Sequence, residues 1–304
     1  MRQGAILRKI GLKTVMKIRF ILNPISGGRL VDTEHWARCI QTNFPGAEMR
    51  LTQSPGHATV LAQEAAAQQF HAVVAIGGDG TINETARALV GTSTILGVIP
   101  KGSGNGFARE IGMMHPIEEA LVLLQRARAL PCDVGIANGE LFLNLAGVGI
   151  EAAIAWQFKD YGKRGKLPYF LIGAKTVFSY RPPELDVVFD GQQKKCQPLT
   201  LVFANGKQYG SNFKIAPQAN LQDGLLDMVA VQNVSKWKLA LAAPYFFTDR
   251  QKPFHITNTQ QVKRAVITRN GEILYHIDGE PRKAQNRLEI SLRPKALHVW
   301  VPCL

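Results

Sequence analysis

The chain has 304 residues, 46% of them hydrophobic and 19% charged, the balance of a globular protein with a sizeable core. No apolar run approaches the roughly 18 residues that span a bilayer, which excludes a helical transmembrane protein. Lys and Arg number 36 against 23 acidic residues, so the net charge of +13 favours an anionic partner: nucleic acid, a phosphorylated ligand or an acidic membrane face.

Residues 1–15 are basic but lack the apolar core of a signal peptide and read as an extension, with Met16 a second candidate start. Lys17 to Leu22 predicts a strand ending in Asn23-Pro24-Ile25-Ser26-Gly27-Gly28. Asp32 to Phe44 spaces Trp36, Ile40 and Phe44 four apart, the apolar face of a helix. A short strand at Met49 to Leu51 leads to Thr52, and the alanine-rich run from Thr59 to Phe70 predicts another helix. Ala72 to Leu89 then carries a β-branched run over Val73 to Ile76, a glycine turn and a helical tail. Gly77, Gly78 and Gly80 permit a sharp turn and close ligand approach, with Asp79 among them. Thr81 and Glu84 predict a capping box, leaving a helix N-terminus facing the loop, a site suited to phosphate. Ile95 to Ile99 is a further buried strand, ending in Pro100 to Gly106, and helices follow at Phe107 to Ile111 and Ile117 to Arg128.

Residues 16–131 thus alternate strand and helix, the pattern of an open parallel sheet whose strand ends carry three Gly/Ser/Asn loops. From residue 132 to 304 the texture changes to short strands at Leu141 to Leu145, Leu185 to Phe189, Leu199 to Ala204, Leu226 to Val231, Ala265 to Thr268, Leu288 to Leu292 and Leu297 to Val301. Turn pairs separate them at Asp190-Gly191, Asn205-Gly206, Asp223-Gly224, Asn270-Gly271 and Asp278-Gly279, which predicts an antiparallel β-sandwich. Helical inserts are expected at Glu151 to Ser179 and Ser235 to Thr248, and the C-terminal residues have room to return to the first domain.

Cys39, Cys132, Cys196 and Cys303 are scattered, with no Cys-x-x-Cys pair and no histidine at ligand spacing, and the seven histidines form no ligand pattern. Free thiols in a reducing cytosol are expected, and a zinc site is not. The glycine loops match neither a Walker A element nor the dinucleotide fingerprint.

NPISGG at Asn23 to Gly28, GGDGTINE at Gly77 to Glu84 and PKGSGNGFA at Pro100 to Ala108 resemble the catalytic domain of the diacylglycerol kinase and sphingosine kinase superfamily. NLAGVGIEA at Asn144 to Ala152, the stretch Ala204 to Asp227 and IDGE at Ile277 to Glu280 follow in that family's order. The resemblance implies an N-terminal nucleotide-binding domain of the NAD kinase and phosphofructokinase type and a C-terminal β-sandwich that meets lipid. It implies a bacterial lipid kinase using ATP and Mg²⁺ to phosphorylate diacylglycerol, with a sphingoid base or ceramide as the alternative acceptor and NAD kinase as a more distant reading. Asn23, Pro24, Ile25, Ser26, Gly27, Thr52, Gly77, Gly78, Asp79, Gly80, Thr81, Ile82, Asn83, Glu84 and Ser103 then match ATP-contacting positions. Glu280 matches the general base and Asp79 a carboxylate near the phosphates, and the assignment of the base between them is open. Asn220, Asp223 and Leu225 match the ligands of a Mg²⁺ ion. Two positions depart from the pattern: Gly106 stands where an acidic residue is usual, and Glu151 where Asp is.

Trp156 to Pro182 mixes lysines and arginines with Tyr169, Phe170 and Phe178, as an interfacial segment would, or an amphipathic helix that covers the sandwich with its lysines in solvent. The expected partners are a lipid in the membrane, an anionic membrane surface at its cytoplasmic face and a homodimer copy, with no nucleic acid. A nonenzymatic nucleic-acid module would explain the charge but leave three glycine loops and Glu280 without use.

Overall fold

A computed structural model describes residues 16–26, 29–160, 173, 176–177, 179–210, 212–248 and 255–303. After β1 (Ile18–Leu22), a short antiparallel pair, β2 (Ile25–Ser26) and β3 (Arg29–Leu30), leads into α1 (Thr33–Asn43). Then follow β4 (Glu48–Leu51), α2 (His57–Ala67), β5 (Ala72–Gly77), α3 (Asp79–Leu89), β6 (Ile95–Pro100), α4 (Gly106–Glu110) and α5 (Ile117–Gln125). β1, β5 and β6 are almost wholly buried and, apart from Arg19 of β1, which pairs with Glu48, apolar, as parallel strands covered on both faces must be. They pair in parallel in the order β4-β1-β5-β6, with Leu22 opposite both Leu51 and Ile76, and Gly77 opposite Pro100. All four strands therefore end at one edge of the sheet, where Asn23, Thr52, Gly78 and Lys101 follow them.

The second half runs through β7 (Arg128–Ala137), β8 (Glu140–Phe142), β9 (Leu145–Gly149), α6 (Ile150–Asp160), β10 (Leu185–Phe189), β11 (Gln192–Cys196), β12 (Thr200–Ala204) and β13 (Leu226–Val231). It closes with α7 (Lys236–Ala242), a 3₁₀ turn over Ala243–Phe247, β14 (Thr257–Val262), β15 (Arg264–Ile277) and β16 (Glu280–Val301). These strands pair antiparallel. β12 is buried on both faces: Leu201 and Phe203 enter the core between the strands, while Val202 and Ala204 share a second cluster with Ile154, Ala242 and Phe246 of the covering helices.

The expected pairing of a parallel α/β half with an antiparallel β-rich half is present, joined more closely than two separate sheets would be. Among the described residues one 14-stranded sheet runs through both halves. The segments expected as two strands, Leu288 to Leu292 and Leu297 to Val301, belong to the single 22-residue strand β16. β16 pairs with β15 and β7 and reaches β6 in parallel at Val299, and Leu297, Val299 and Trp300 lie in the core of the first half. Residue 132 falls inside β7, which crosses the junction.

Turn chemistry sorts differently from the expectation. Asp190-Gly191 and Asp278-Gly279 are two-residue hairpin turns with both residues at positive φ. Asn270-Gly271 lies within β15, where the register against β16 shifts between Thr268 and Glu272. Asn205-Gly206 and Asp223-Gly224 bound the long connection between β12 and β13 and turn no hairpin. Residues 1–15 and most of the stretch from Trp156 to Pro182 lie outside the described residues.

Candidate active site at the ends of the parallel strands

The glycine turn after β5 is tighter than its sequence suggests, because α3 begins at Asp79 with Gly78 as its N-cap. The expected capping box does not form. Gly77 has no side chain because Thr81 fills that space: a Cβ there would lie 2.6 Å from Thr81 Oγ1. That hydroxyl accepts a hydrogen bond from Asn23 Nδ2 at 3.2 Å, tying the end of β1 to the loop after β5. Glu84 turns the other way and accepts from the Ala58 N–H at 3.3 Å, capping α2, whose own N-cap Gly56 offers no side chain. With no side-chain cap on α3, its first-turn N–H groups face the loop.

The loop after β6 closes on this turn. Asn105, at φ 53°, accepts from the Gly102 N–H at 2.9 Å and donates back to the Gly102 carbonyl at 2.8 Å. The two glycine loops then interlock backbone to backbone: the Lys101 N–H donates to the Gly77 carbonyl at 2.7 Å, and a Cβ on Gly102 would stand 2.7 Å from Gly78 Cα. Asp79 joins them, accepting from the Asn105 N–H at 2.9 Å and the Gly106 N–H at 2.8 Å, one on each carboxylate oxygen. Burial pushes the Asp79 carboxyl above its ordinary value, with the nearby Asp278 charge adding to the rise and the two N–H donors opposing it.

Gly106 is a packing requirement in this chain. A Cβ there would meet Asn144 Nδ2 at 2.6 Å and the Tyr209 carbonyl at 2.7 Å, so the second half of the molecule occupies the space an acidic side chain would need.

The β15–β16 hairpin comes down on these loops. Asp278, its first turn residue, accepts four hydrogen bonds: from the N–H groups of Leu143, Asn144 and Leu145 at 2.8, 2.9 and 2.9 Å, and from Asn83 Nδ2 of α3 at 3.1 Å. Burial raises its carboxyl above the ordinary value against the pull of those donors. Glu280, two residues on, is exposed; Arg282 donates to one of its oxygens at 3.1 Å, and the other would lie 3.5 Å from a Cβ on Gly80. Arg282 also pairs with Glu140 at 3.0 Å, which holds the hairpin against β8.

Asn23, Gly77, Gly78, Asp79, Gly80, Thr81 and Glu280 thus gather at one place, with Thr52 at the adjoining strand end and Ser103 exposed on the interlocked loop. Pro24 leads into β2, which holds Ser26 and the exposed Ile25, and Gly27 lies outside the described residues. Three predicted contacts have other uses for their side chains: Ile82 is in the core, Asn83 holds Asp278 and Glu84 caps α2.

Behind the hairpin lies a buried polar pair: His276 Nε2 is 3.8 Å from Glu151 Oε1, and among the described residues neither Glu151 oxygen has a hydrogen-bond partner. Gly147 leaves room for both, since a Cβ there would touch each at under 3 Å.

Asn220, Asp223 and Leu225 sit apart from this cluster, in the connection before β13. Asp133, buried under it, accepts from the Gly224 N–H at 2.7 Å and from the Lys295 N–H at 2.7 Å, linking that loop to the bulge of β16. Asp227 lies near Asp223 and has a buried carboxylate oxygen without a partner among the described residues; burial first, and the Asp223 charge second, raise its carboxyl. Asp278, Asp133 and Asp227 were not among the expected site residues: Asp278 is itself a hairpin-turn residue, Asp133 lies inside β7 and Asp227 is the second residue of β13. One cysteine also contradicts the sequence reading: α1 sets His35 one turn from Cys39, with ring nitrogens 3.7 and 3.9 Å from the sulfur and Glu118 of α5 at 3.5 Å from Nε2.

Residues 17–137 match the diacylglycerol kinase catalytic domain family, and residues 144–301 match the YegS C-terminal NAD kinase beta sandwich-like domain. The chain is 33% identical over 228 residues to a diacylglycerol kinase of Bacillus subtilis strain 168, covering 72% of this chain and 75% of that one. It is 30% identical over 264 residues to a protein of Cronobacter sakazakii named "Probable lipid kinase YegS-like", covering 84% and 86%. A crystal structure titled as a diacylglycerol kinase of Bacillus anthracis str. Sterne superposes with a TM-score of 0.75 over 94% of this chain and 97% of that chain; at 22% identity it shows the shared fold.

Proposed function

This chain belongs to the kinase family defined by the diacylglycerol kinase catalytic domain, and from that membership we propose that it transfers the γ-phosphoryl group of ATP to the hydroxyl of diacylglycerol or a related membrane lipid. The observation that carries the reading is the interlock of the Gly77–Gly80 and Gly102–Gly104 backbones under the Asp278–Glu280 hairpin. Phosphoryl transfer needs positioning and neutralisation of charge more than covalent help, and glycine-loop amides beside an uncapped helix N-terminus supply both.

The lipid oxygen attacks the γ-phosphorus, its proton passes to a carboxylate, the bond to the β–γ bridging oxygen breaks and ADP leaves. Glu280 suits the base better than Asp79. Both Asp79 oxygens are engaged by N–H donors, whereas among the described residues one Glu280 oxygen accepts no hydrogen bond and faces Gly80. Asp79 instead sets the spacing of the two loops. Mg²⁺, when bound, neutralises charge on the transferring phosphates. A second, structural ion would be held by Asn220, Asp223 and Leu225; the partnerless oxygen of Asp227 beside them fits a hard cation and extends that ligand set. No described helix is long and apolar enough to cross a membrane; on this reading a peripheral protein meets the lipid at the cytoplasmic face of the membrane.

The test is transfer of label from ATP with Mg²⁺ to a panel of diacylglycerol, monoacylglycerol, sphingosine and ceramide in mixed micelles, with NAD as a soluble acceptor. Label in diacylglycerol is expected; label in sphingosine or ceramide would move the acceptor within the lipid class, and label in NAD would overturn the reading. Glu280→Gln should retain its melting temperature and ATP affinity while losing about 10²–10⁴-fold in kcat. Near-normal turnover would move the base elsewhere.

A further inference from the structure

We propose that Trp237, Leu241 and Phe247 form the face on which this protein docks to an anionic bilayer, at the outer end of an aromatic row that leads from the Asp278–Glu280 hairpin; this rests on the lipid-kinase reading. Trp237 and Leu241 are one helical turn apart on α7 and are 58% and 56% exposed, and Phe247, on the 3₁₀ turn that follows, is 46% exposed. Ala240, Ala243 and Pro244 between them are exposed as well, while Ala242 and Phe246 point the other way into the core. Elsewhere among the described residues the exposed large apolar side chains are aliphatic; Trp237 and Phe247 are the aromatic ones.

Charge selects the occupant. Met228 to Thr248 contains no Asp or Glu, and Lys236 and Lys238 flank Trp237, with the Lys238 ammonium 5.6 Å from the indole centroid. Aromatic side chains interleaved with lysines suit a headgroup boundary, where rings sit among the headgroups and ammonium groups meet lipid phosphate.

Continuity with the site gives the orientation. Phe213 stacks on Phe246 at 5.0 Å and meets Phe247 edge-on at 5.4 Å. Tyr209 packs on Phe213 at 5.8 Å and on His276 at 5.6 Å, and His276 lies two residues before Asp278. The same segment backs onto the glycine loop, where a Cβ on Gly210 would be 3.1 Å from the Gly104 carbonyl. A membrane seated on α7 therefore lies at the far end of the segment that borders the phosphoryl-transfer loops.

The test uses the full chain with sedimented phosphatidylcholine–phosphatidylglycerol vesicles. Trp237→Glu/Leu241→Glu should lose about tenfold or more in vesicle affinity, whereas Val188→Glu, at an exposed aliphatic position on β10, should not. The double variant should also turn over vesicle-embedded diacylglycerol more slowly and a water-soluble short-chain diacylglycerol at the wild-type rate. Equal vesicle binding by wild type and double variant, or no binding by either, overturns the proposal. So does a wild-type dimer, by sedimentation equilibrium without vesicles, that the double variant dissolves. Absence of turnover with every lipid would count against the kinase reading, while the vesicle affinities still decide the surface.

Discussion

The Asp278 carboxylate accepts two donors on each oxygen, from the β8–β9 connection and from α3, so one side chain holds the hairpin to both halves of the site. Its partners are all donors and none could accept a proton, yet burial is the larger influence and raises the carboxyl above 3.8. A raised folded value means the native state binds this proton more tightly than the unfolded chain does. The contribution to stability is whole below 3.8 and is lost as pH rises through the folded value. Asp278→Asn, which cannot ionise, should therefore close its stability gap to wild type as pH climbs from about 4 to about 7. Urea midpoints of both proteins across that range decide it; a gap that widens would mean the four donors outweigh burial. Asp278 was hidden in sequence for a physical reason. Asp-Gly is a favoured hairpin turn, and the acceptors matter only once residues 143–145 fold back beneath it. Glu280, carried by the same turn, was legible through the family resemblance.

The elements around the parallel strands were readable because each follows a local rule. Apolar runs gave β1, β5 and β6, and four-residue spacing gave α1, whose Trp36 and Ile40 are buried. The capping box failed because its members have stronger engagements outside their own helix: Thr81 with Asn23 and Glu84 with the uncapped start of α2. Pairing between loops is not a local property, and the glycines distinguish themselves only in contact. Gly102→Ala would push a Cβ against Gly78 Cα, backbone on backbone with nothing flexible to yield, at a cost of about 1–3 kcal/mol. ATP affinity should fall with it, since the loops hold each other in register. Gly80→Ala places its Cβ at an ordinary 3.5 Å from Glu280 inside α3, where alanine is favoured by up to about 1 kcal/mol. Thermal unfolding should separate the two variants, and ATP titration of Gly102→Ala against wild type should show the weaker binding; wild-type affinity would mean that the interlock does not position the nucleotide.

At the scale of the whole molecule, the last strand decides how the halves behave. β16 leaves the hairpin at Glu280, runs the length of the antiparallel half, bulges near Lys295 and ends beside β6. The bulge is fixed by Asp133, whose other oxygen holds the Asp223–Gly224 turn. Beyond it Trp300, 6% exposed, lies against Gly97 of β6, where a Cβ would stand 3.2 Å from the indole. Residues of the last strand therefore complete the core beneath the glycine loops. Sequence pattern showed the apolar run at Leu297 to Val301 but not its continuity with the strand before it, because Arg293, Pro294 and Lys295 read as a break. Two halves that share one sheet and exchange a strand should unfold together. Urea denaturation should give one transition, coincident by tryptophan fluorescence and by far-ultraviolet circular dichroism. Trp300→Ala should move that single transition down by about 3–5 kcal/mol, because it leaves a cavity over Gly97 in the core that the end of β16 shares with β5 and β6. If Trp300→Ala instead splits the curve, with the antiparallel half melting at the wild-type midpoint, then β16 tethers two independent units and the shared sheet does not couple the antiparallel half to the glycine loops.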